Sequence, residues 1–375
     1  TRHVLLTGLG SLTGVVANAG YAGTEAALGT FDNMDRILGS ASLLDSFTGM
    51  DAAAVFTIND ALTNYIDYAA LGNTLTFTGF EYVIGGGLAD EFDFMQTNTQ
   101  VLAYRGGAGD DLFKLFGSVL VPARLDGQAG QDTLDYSNYS IGVNVNLASG
   151  IATAIFGALT GGISGIERVI GSNFADAIIG DAFANYIDGL GGIDNITAAE
   201  GNDTLLGGLG NDIFHFFVDW GNDLLSDLGG LDTVDFSSIS FALTFSIASA
   251  GLVVTGAGNS LTETGNTIEI LISGSGDDQF VFSEDGVTLA GGGAGTYIDG
   301  GGGRNRLDYQ AYGVTNPVYV NLSGSSEIIG SVTLPANSAS GLNNRLANGF
   351  TNISDVFGGS GSDILTGDAN ANIFR

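Results

Sequence analysis

Five nine-residue units in unbroken register fill residues 171–215, and no other feature narrows the fold of this chain so far. They read GSNFADAII, GDAFANYID, GLGGIDNIT, AAEGNDTLL and GGLGNDIFH, each with an acid or amide at its sixth position and an apolar residue at its eighth. A period of nine is out of step with the α-helix, which turns every 3.6 residues or about that. It suits a short strand joined to a tight glycine turn, two such units closing one coil of a solenoid. Glycine fills the turn because positive φ costs it nothing, and the acid stands where its carboxylate can face the backbone of the turn.

Two stretches, 106–114 (GGAGDDLFK) and 207–215 (GGLGNDIFH), carry the full pattern Gly-Gly-x-Gly-x-Asp-x-apolar-x. GQAGQDTLD at 127, SGSGDDQFV at 273 and GGSGSDILT at 358 keep the fourth glycine and the Asp, whereas GGGAGTYID at 291 and GGGGRNRLD at 300 lose the carboxylate. The pattern resembles the bacterial RTX, or haemolysin-type calcium-binding, repeat, in a degenerate form like that of giant bacterial surface proteins. The resemblance implies an all-β fold, an elongated parallel β-solenoid or β-roll whose turns stack along two edges with Ca2+ between them.

If two nonapeptides make one coil, units two apart stack on the same edge. Asp176, Asp194, Asp212 and, beyond the insertion Phe216-Phe217, Asp232 then form one ladder, and Asn185, Asp203 and Asp223 form the other. Calcium takes about 6–8 oxygens, which two carboxylates and the turn carbonyls of adjacent coils can supply. The resemblance makes these residues, with Asp111 and Asp132, the candidate Ca2+ ligands. The plainer alternative is that each Asp only bonds the amides of its own turn. Asp90, Asp111, Asp132, Asp278 and Asp363 stand isolated in sequence, without a neighbouring ligand, and Asp111 is favoured among them by its full consensus turn. Across 273–308 the sixth positions are Asp278, Val287, Thr296 and Asn305, while Phe280, Leu289, Ile298 and Leu307 keep the apolar ladder, so these turns are expected to close without metal.

A longer periodicity overlies the first. MDRILGS at 34, FEYVIGG at 80, IERVIGS at 166, IEILISG at 268 and ISDVFGG at 353 align, each leading into a nonapeptide or its remnant. They mark degenerate blocks at 31–78, 79–164, 165–266, 267–349 and 350–375, with the best run at 171–235. Segments 134–147, 234–247, 307–322 and, more faintly, 66–77 read as strand pairs, wider rungs of the same solenoid. The Ala-rich stretches 13–29 and 41–54 suit a short helix or capping layer, and the polar 331–349 suits a projecting loop. With no linker of low complexity, residues 1–375 read as one continuous body.

Charge narrows the partners. Forty-one acids against ten bases give a formal charge of −31, and Lys114 is the lone lysine, which makes nucleic acid and anionic membrane poor partners. The chain has no Cys, 3 Pro and 44% hydrophobic residues, so it is neither stapled by disulfides nor disordered. No apolar run reaches the roughly 18 residues of a membrane-spanning helix. Thr1-Arg2-His3 offers neither an initiator Met nor a signal-peptide core, and the final GDANANIFR has no polar cap after it, so a processed chain or a piece of something longer is expected.

Catalytic schemes find little to work with. His3 and His215 are the two histidines, there is no thiol, and no GxSxG elbow occurs. The neighbouring acids Asp110-Asp111 and Asp277-Asp278 point to opposite faces of a strand, so they make poor carboxylate pairs. Arg304 and Arg306 alternate onto one face and suit either an acidic sugar or the relief of acidic repulsion, while Trp220, Phe216-Phe217 and Tyr136-Tyr139 suit a packed core. The expectation is a non-enzymatic, extracellular structural or adhesive segment of a bacterial cell-surface layer, appendage or filament. Its partners are then further copies or continuations of itself, or a surface glycan. The alternative is a carbohydrate-active β-helix enzyme or its polysaccharide-binding module.

Overall fold

The computed structural model describes residues 3–9, 21–25, 29–34, 36–38, 45–58, 66–70, 73–284, 296–339 and 349–375. Nearly all regular structure among them is β, the exception being a single 3-10 turn at Phe156–Ala158. The chain divides into two compact units, Thr1–Ile179 and Gly180–Arg375. The boundary falls between the first and second of the five consecutive nonapeptides.

In the first unit strands alternate, strictly so from Tyr82 to Tyr139, between two ladders of parallel pairs. One sheet pairs His3–Leu9, Ser46–Thr48, Tyr82–Ile84, Ala103–Ala108, Arg124–Ala129 and Ile163–Ser164 in that order. The other pairs Ala54–Ile58, Glu91–Phe94, Leu112–Gly117, Thr133–Tyr139 and Arg168–Ile170. Parallel neighbours cannot be joined by a tight hairpin. Here the strand of the opposite sheet serves as the crossover.

The second unit repeats the scheme. Tyr186–Asp188, Thr204–Leu206 and Asn222–Ser226 form one parallel ladder, and Asn195–Thr197, Ile213–His215, Thr233–Asp235, Ile270–Ile272 and Tyr297–Asp299 form another. Thr244–Ala248, Gln279–Phe282, Arg306–Asp308 and Asp355–Phe357 continue in parallel pairs.

Three-residue strands present one side chain inward and two outward, and the inward one is the eighth residue of each nonapeptide. Ile187, Ile196, Leu205 and Phe214 are all 0% exposed. Each contributes about 1.5–3 kcal/mol by burial. In the first unit the ladder is aromatic: Phe92 stacks on Phe56 at 4.6 Å and on Phe113 at 5.0 Å. Trp220 is fully buried against Phe216, Phe236 and Phe241, and Tyr136 meets Tyr139 edge-on at 5.6 Å, so these rings belong to the core.

Several sequence expectations need correction. The stretches read as helical hold strands at Tyr21–Glu25, Gly29–Met34, Ser46–Thr48 and Ala54–Ile58, the last two joined at 49–53 by a bend with no helix, and residues 13–20, 26–28 and 41–44 lie outside the described residues. Tertiary pairing overrides the alanine content there. The segment read as a loop at 331–349 contains Val332–Leu334 and Ser338–Ala339, while 340–348 lie outside the described residues, as do Val287 and Leu289. Not every rung is parallel. Ile66–Ala70 and Asn73–Thr78 form an antiparallel hairpin, and Thr244–Ala248, Gly251–Gly256 and Asn259–Thr264 form an antiparallel meander.

Candidate metal centre

The sixth-position carboxylates of the second unit hold its stacked turns together. Asp194 N–H donates to Asp212 Oδ1, and Asp212 N–H to Asp232 Oδ1, each at 2.8 Å. On the other ladder Asn185 N–H donates to Asp203 Oδ1, and Asp203 N–H to Asp223 Oδ1, again at 2.8 Å. One oxygen of each carboxylate is committed in this way to the amide of the neighbouring turn. The other, Oδ2, is buried and meets no donor in Asp203, Asp212, Asp223 and Asp232. An ionised oxygen so placed costs several kcal/mol unless positive charge meets it.

At Asp212 the first glycine of the turn provides the room for that oxygen, whereas Ala198, Val218 and Asp227 hold the same position before Asp203, Asp223 and Asp232. A Cβ added to Gly207 would lie 2.7 Å from Asp212 Oδ2, and one added to Gly189 would crowd Asp194 Oδ2 and stand 2.6 Å from the Gly207 carbonyl oxygen. Carboxylate and carbonyl oxygens therefore line a small space that any larger residue would fill. Gly210, at φ 143°, brings its backbone against the Gly192 carbonyl of the adjacent turn, an approach closed to an L side chain.

The acids read as isolated in the first unit are not isolated. Asp90 N–H donates to Asp111 Oδ1 at 2.7 Å and Asp111 N–H to Asp132 Oδ1 at 2.8 Å, both across 21 residues. Oδ2 of Asp111 and of Asp132 is buried without a donor. The 21-residue spacing escapes a search for nonapeptides because it exceeds the 18 residues of two such units. Asp90 differs, since its Oδ2 accepts the Gly86 N–H and its Oδ1 accepts that of Ala54.

A carboxylate outside the expected ladders completes the strongest cluster. Oxygens of Asp212, Asp227 and Asp232 lie within 4.8 Å of one another, and all three residues are buried, a grouping that could hold a metal ion. Asp227 is the first residue of DLGGLDTVD, where the pattern has glycine, so sequence register points away from it. Its oxygens accept the N–H groups of Gly208 at 3.1 Å and Gly229 at 2.7 Å.

Burial raises the carboxyls of these residues, as it does those of Asp90 and Asp93. Burial, the largest cause, pushes the carboxyls of Asp111 and Asp203 up to about 7, that of Asp223 to about 8 and that of Asp132 to about 6, with the donated backbone N–H working against it in each. Burial also raises Asp212, Asp227 and Asp232; a hydrogen bond between the carboxyls of Asp227 and Asp232 raises the former and lowers the latter, and the three repel one another. Acids held this far above their ordinary range lack a compensating charge.

The remaining candidates are already satisfied within the protein. Asp176 accepts Val143 N–H at 2.7 Å and the Ser172 hydroxyl at 2.8 Å on Oδ1, and Ser172 N–H at 2.6 Å on Oδ2. Asn185 offers an amide in place of a carboxylate and accepts Asp181 N–H at 2.8 Å. Asp278 Oδ2 accepts the Ser273 hydroxyl, and Asp363 Oδ1 accepts Val318 N–H.

A second kind of turn also emerges. Glu167 accepts Asp132 N–H at 2.9 Å and Glu269 accepts Asp232 N–H at 2.8 Å, so glutamate ends the Asp90–Asp111–Asp132 and Asp194–Asp212–Asp232 ladders, and Glu81 accepts Asp45 N–H in the same way at 2.9 Å. The residue before each, Phe80, Ile166 or Ile268, is buried. The apolar-Glu pairs that mark the block boundaries in sequence thus have a structural role: they close a turn with a hydrophobic plug. His215 lies outside these turns, its Nδ1 3.2 Å from Asp235, whose carboxyl it holds down at about 2. No protein-family model matches the chain, and no curated protein does.

Proposed function

We propose that each unit is an RTX-like parallel β-solenoid whose Gly-Asp turns bind Ca2+, and that the chain is a non-enzymatic structural or adhesive segment of a bacterial surface layer, appendage or filament, outside the cell. The observation that carries this reading is the run of buried Oδ2 atoms without a donor at Asp111, Asp132, Asp203, Asp212, Asp223 and Asp232. The donors around them are carboxylate and carbonyl oxygens, which favour a hard cation over zinc or copper. A formal charge of −31 also argues that divalent cations, rather than polyanions, accompany this surface and let like-charged bodies, further copies or continuations of the chain, pack together.

Calcium titration of the whole chain, followed by calorimetry and by light scattering, tests both halves of the reading. Saturable binding with a rise in melting temperature supports the sites, and association that grows with calcium supports the structural role. A chain indifferent to calcium in both measurements overturns the reading. One observation favours the polysaccharide-binding alternative: a cavity of about 370 Å³ in the second unit, lined by Asn337, Thr351, Asn352, Ser354, Asp368 and Asn370. Its polar amides and hydroxyls match a glycan better than a cation, and binding of acidic or neutral oligosaccharides by the calcium-free chain would bring that reading forward.

A further inference from the structure

We infer that the side-chain amide of Asn305 takes the place of a turn cation, and that the turn it closes is a latent divalent-cation site. Asn305 is fully buried at the sixth position of its nonapeptide. Its Oδ1 accepts Asp278 N–H at 2.9 Å, the same bond that Asp212 Oδ1 makes to the Asp194 amide. This anchors the side chain in the ladder rotamer and sets Nδ2 where an aspartate carries Oδ2.

That nitrogen meets three carbonyl oxygens: Gly300 at 2.6 Å, Gly302 at 2.8 Å and Asn352 at 2.9 Å. A neutral NH2 group has two hydrogens to share among them. The three oxygens therefore converge on one point and are met there by partial positive charge. An aspartate oxygen at that point would face three carbonyl dipoles of its own sign, and a cation would resolve the conflict. The same device recurs outside the nonapeptide register. Asn321 is fully buried, and its Nδ2 donates to the carbonyls of Ser325 at 2.9 Å, Leu334 at 3.2 Å and Pro335 at 3.0 Å. A buried amide in a nest of carbonyls is thus a recurring solution in this part of the chain.

The inference rests on the cation reading of the Asp turns, but the two fail separately. Asn305→Asp in the whole chain, purified in calcium, desalted and analysed for bound metal by atomic emission, is expected to retain one more calcium per chain than the wild type. Isothermal titration of calcium chloride into the chelated variant should show the same increment. Asn305→Ala, which keeps the glycine turn and removes the anchor, should gain no ion. If the wild type binds calcium and Asn305→Asp binds the same number, the inference falls and the cation reading stands. If the wild type binds none and Asn305→Asp binds one, the latent site stands and the cation reading falls. Because metal is counted on protein purified in calcium, a variant that folds only with the cation still gives a decisive count.

Discussion

Replacing Asp203 by asparagine should stabilise the metal-free protein and weaken its response to calcium. Asp203 is 1% exposed, Oδ1 accepts Asn185 N–H at 2.8 Å, and Oδ2 has no donor. Burial lifts its carboxyl from 3.8 to about 7. At about pH 8 that difference places about 4 kcal/mol on the ionised form. Asparagine keeps the acceptor but exchanges a charge-assisted hydrogen bond for a neutral one, a loss of about 1 kcal/mol. The balance is a gain of up to about 3 kcal/mol in chelator, or about 6–12 °C in melting temperature for a unit of this size. Calcium works the other way. At a thousandfold excess over Kd one site adds about 4.1 kcal/mol to the wild type, and a variant without the anionic ligand forgoes it, so the order of stability inverts. Differential scanning calorimetry of both proteins at about pH 8, in chelator and in saturating calcium, reads the four values. Asp203→Ala, which also strands the buried Asn185 amide, should melt below Asp203→Asn in both buffers by about 1–3 kcal/mol. An asparagine variant that melts below the wild type in chelator would refute the penalty at Oδ2, and one that gains as much from calcium as the wild type would refute the cation site.

Three further outcomes are expected. Because Asp111, Asp132, Asp203 and Asp223 bind protons more tightly folded than unfolded, with carboxyls raised from 3.8 to between about 6 and about 8, the chelated protein should lose stability as pH rises from about 4 to about 8. Calcium should reverse this slope, and denaturant midpoints across that range, with and without chelator, will show whether it does. Hydrogen exchange should lose protection on chelation at Thr204–Leu206 and Thr233–Asp235 but keep it at Arg306–Asp308, where Asn305 closes the turn, and equal losses would contradict the two turn chemistries. Ile187→Ala, at a position 0% exposed, should cost about 2–5 kcal/mol by the cavity it leaves, equally with and without calcium, as thermal melts will record.

The nonapeptides reveal their own fold because each carries its strand, its inward residue and its turn within nine positions. Ile187, Leu205 and Leu225 could be placed in one buried ladder from register alone, and so could Asp203 beside Asp223. Where the coil lengthens, that local signal fails. Asp90, Asp111 and Asp132 stack as closely as the nonapeptide acids, but they stand 21 residues apart rather than 18, so the nine-residue register does not carry from one to the next. Asp227 escaped because it replaces a glycine and supports its neighbours from the first position of the turn. Asn305 shows the converse: its loss of charge was legible, and the three carbonyls that its amide satisfies were not, because Asn352 lies 47 residues away. The meander Thr244–Thr264 was missed for a simpler reason, since its alternation matches that of the parallel rungs and only pairing partners tell the two apart.

The glutamate turns act as punctuation. The run Asp90–Asp111–Asp132 ends where Glu167 takes the last amide and the run Asp194–Asp212–Asp232 where Glu269 does, with the buried Ile166 or Ile268 beside it. If these turns hold cations as proposed, those on such an edge would come in short, bounded sentences rather than one unbroken line. Repulsion among them would then be confined to each run. The parallel pairing of Thr133–Asp135 with Arg168–Ile170 and of Thr233–Asp235 with Ile270–Ile272 carries the sheet straight through each stop, so the fold runs on where the line of carboxylates breaks off.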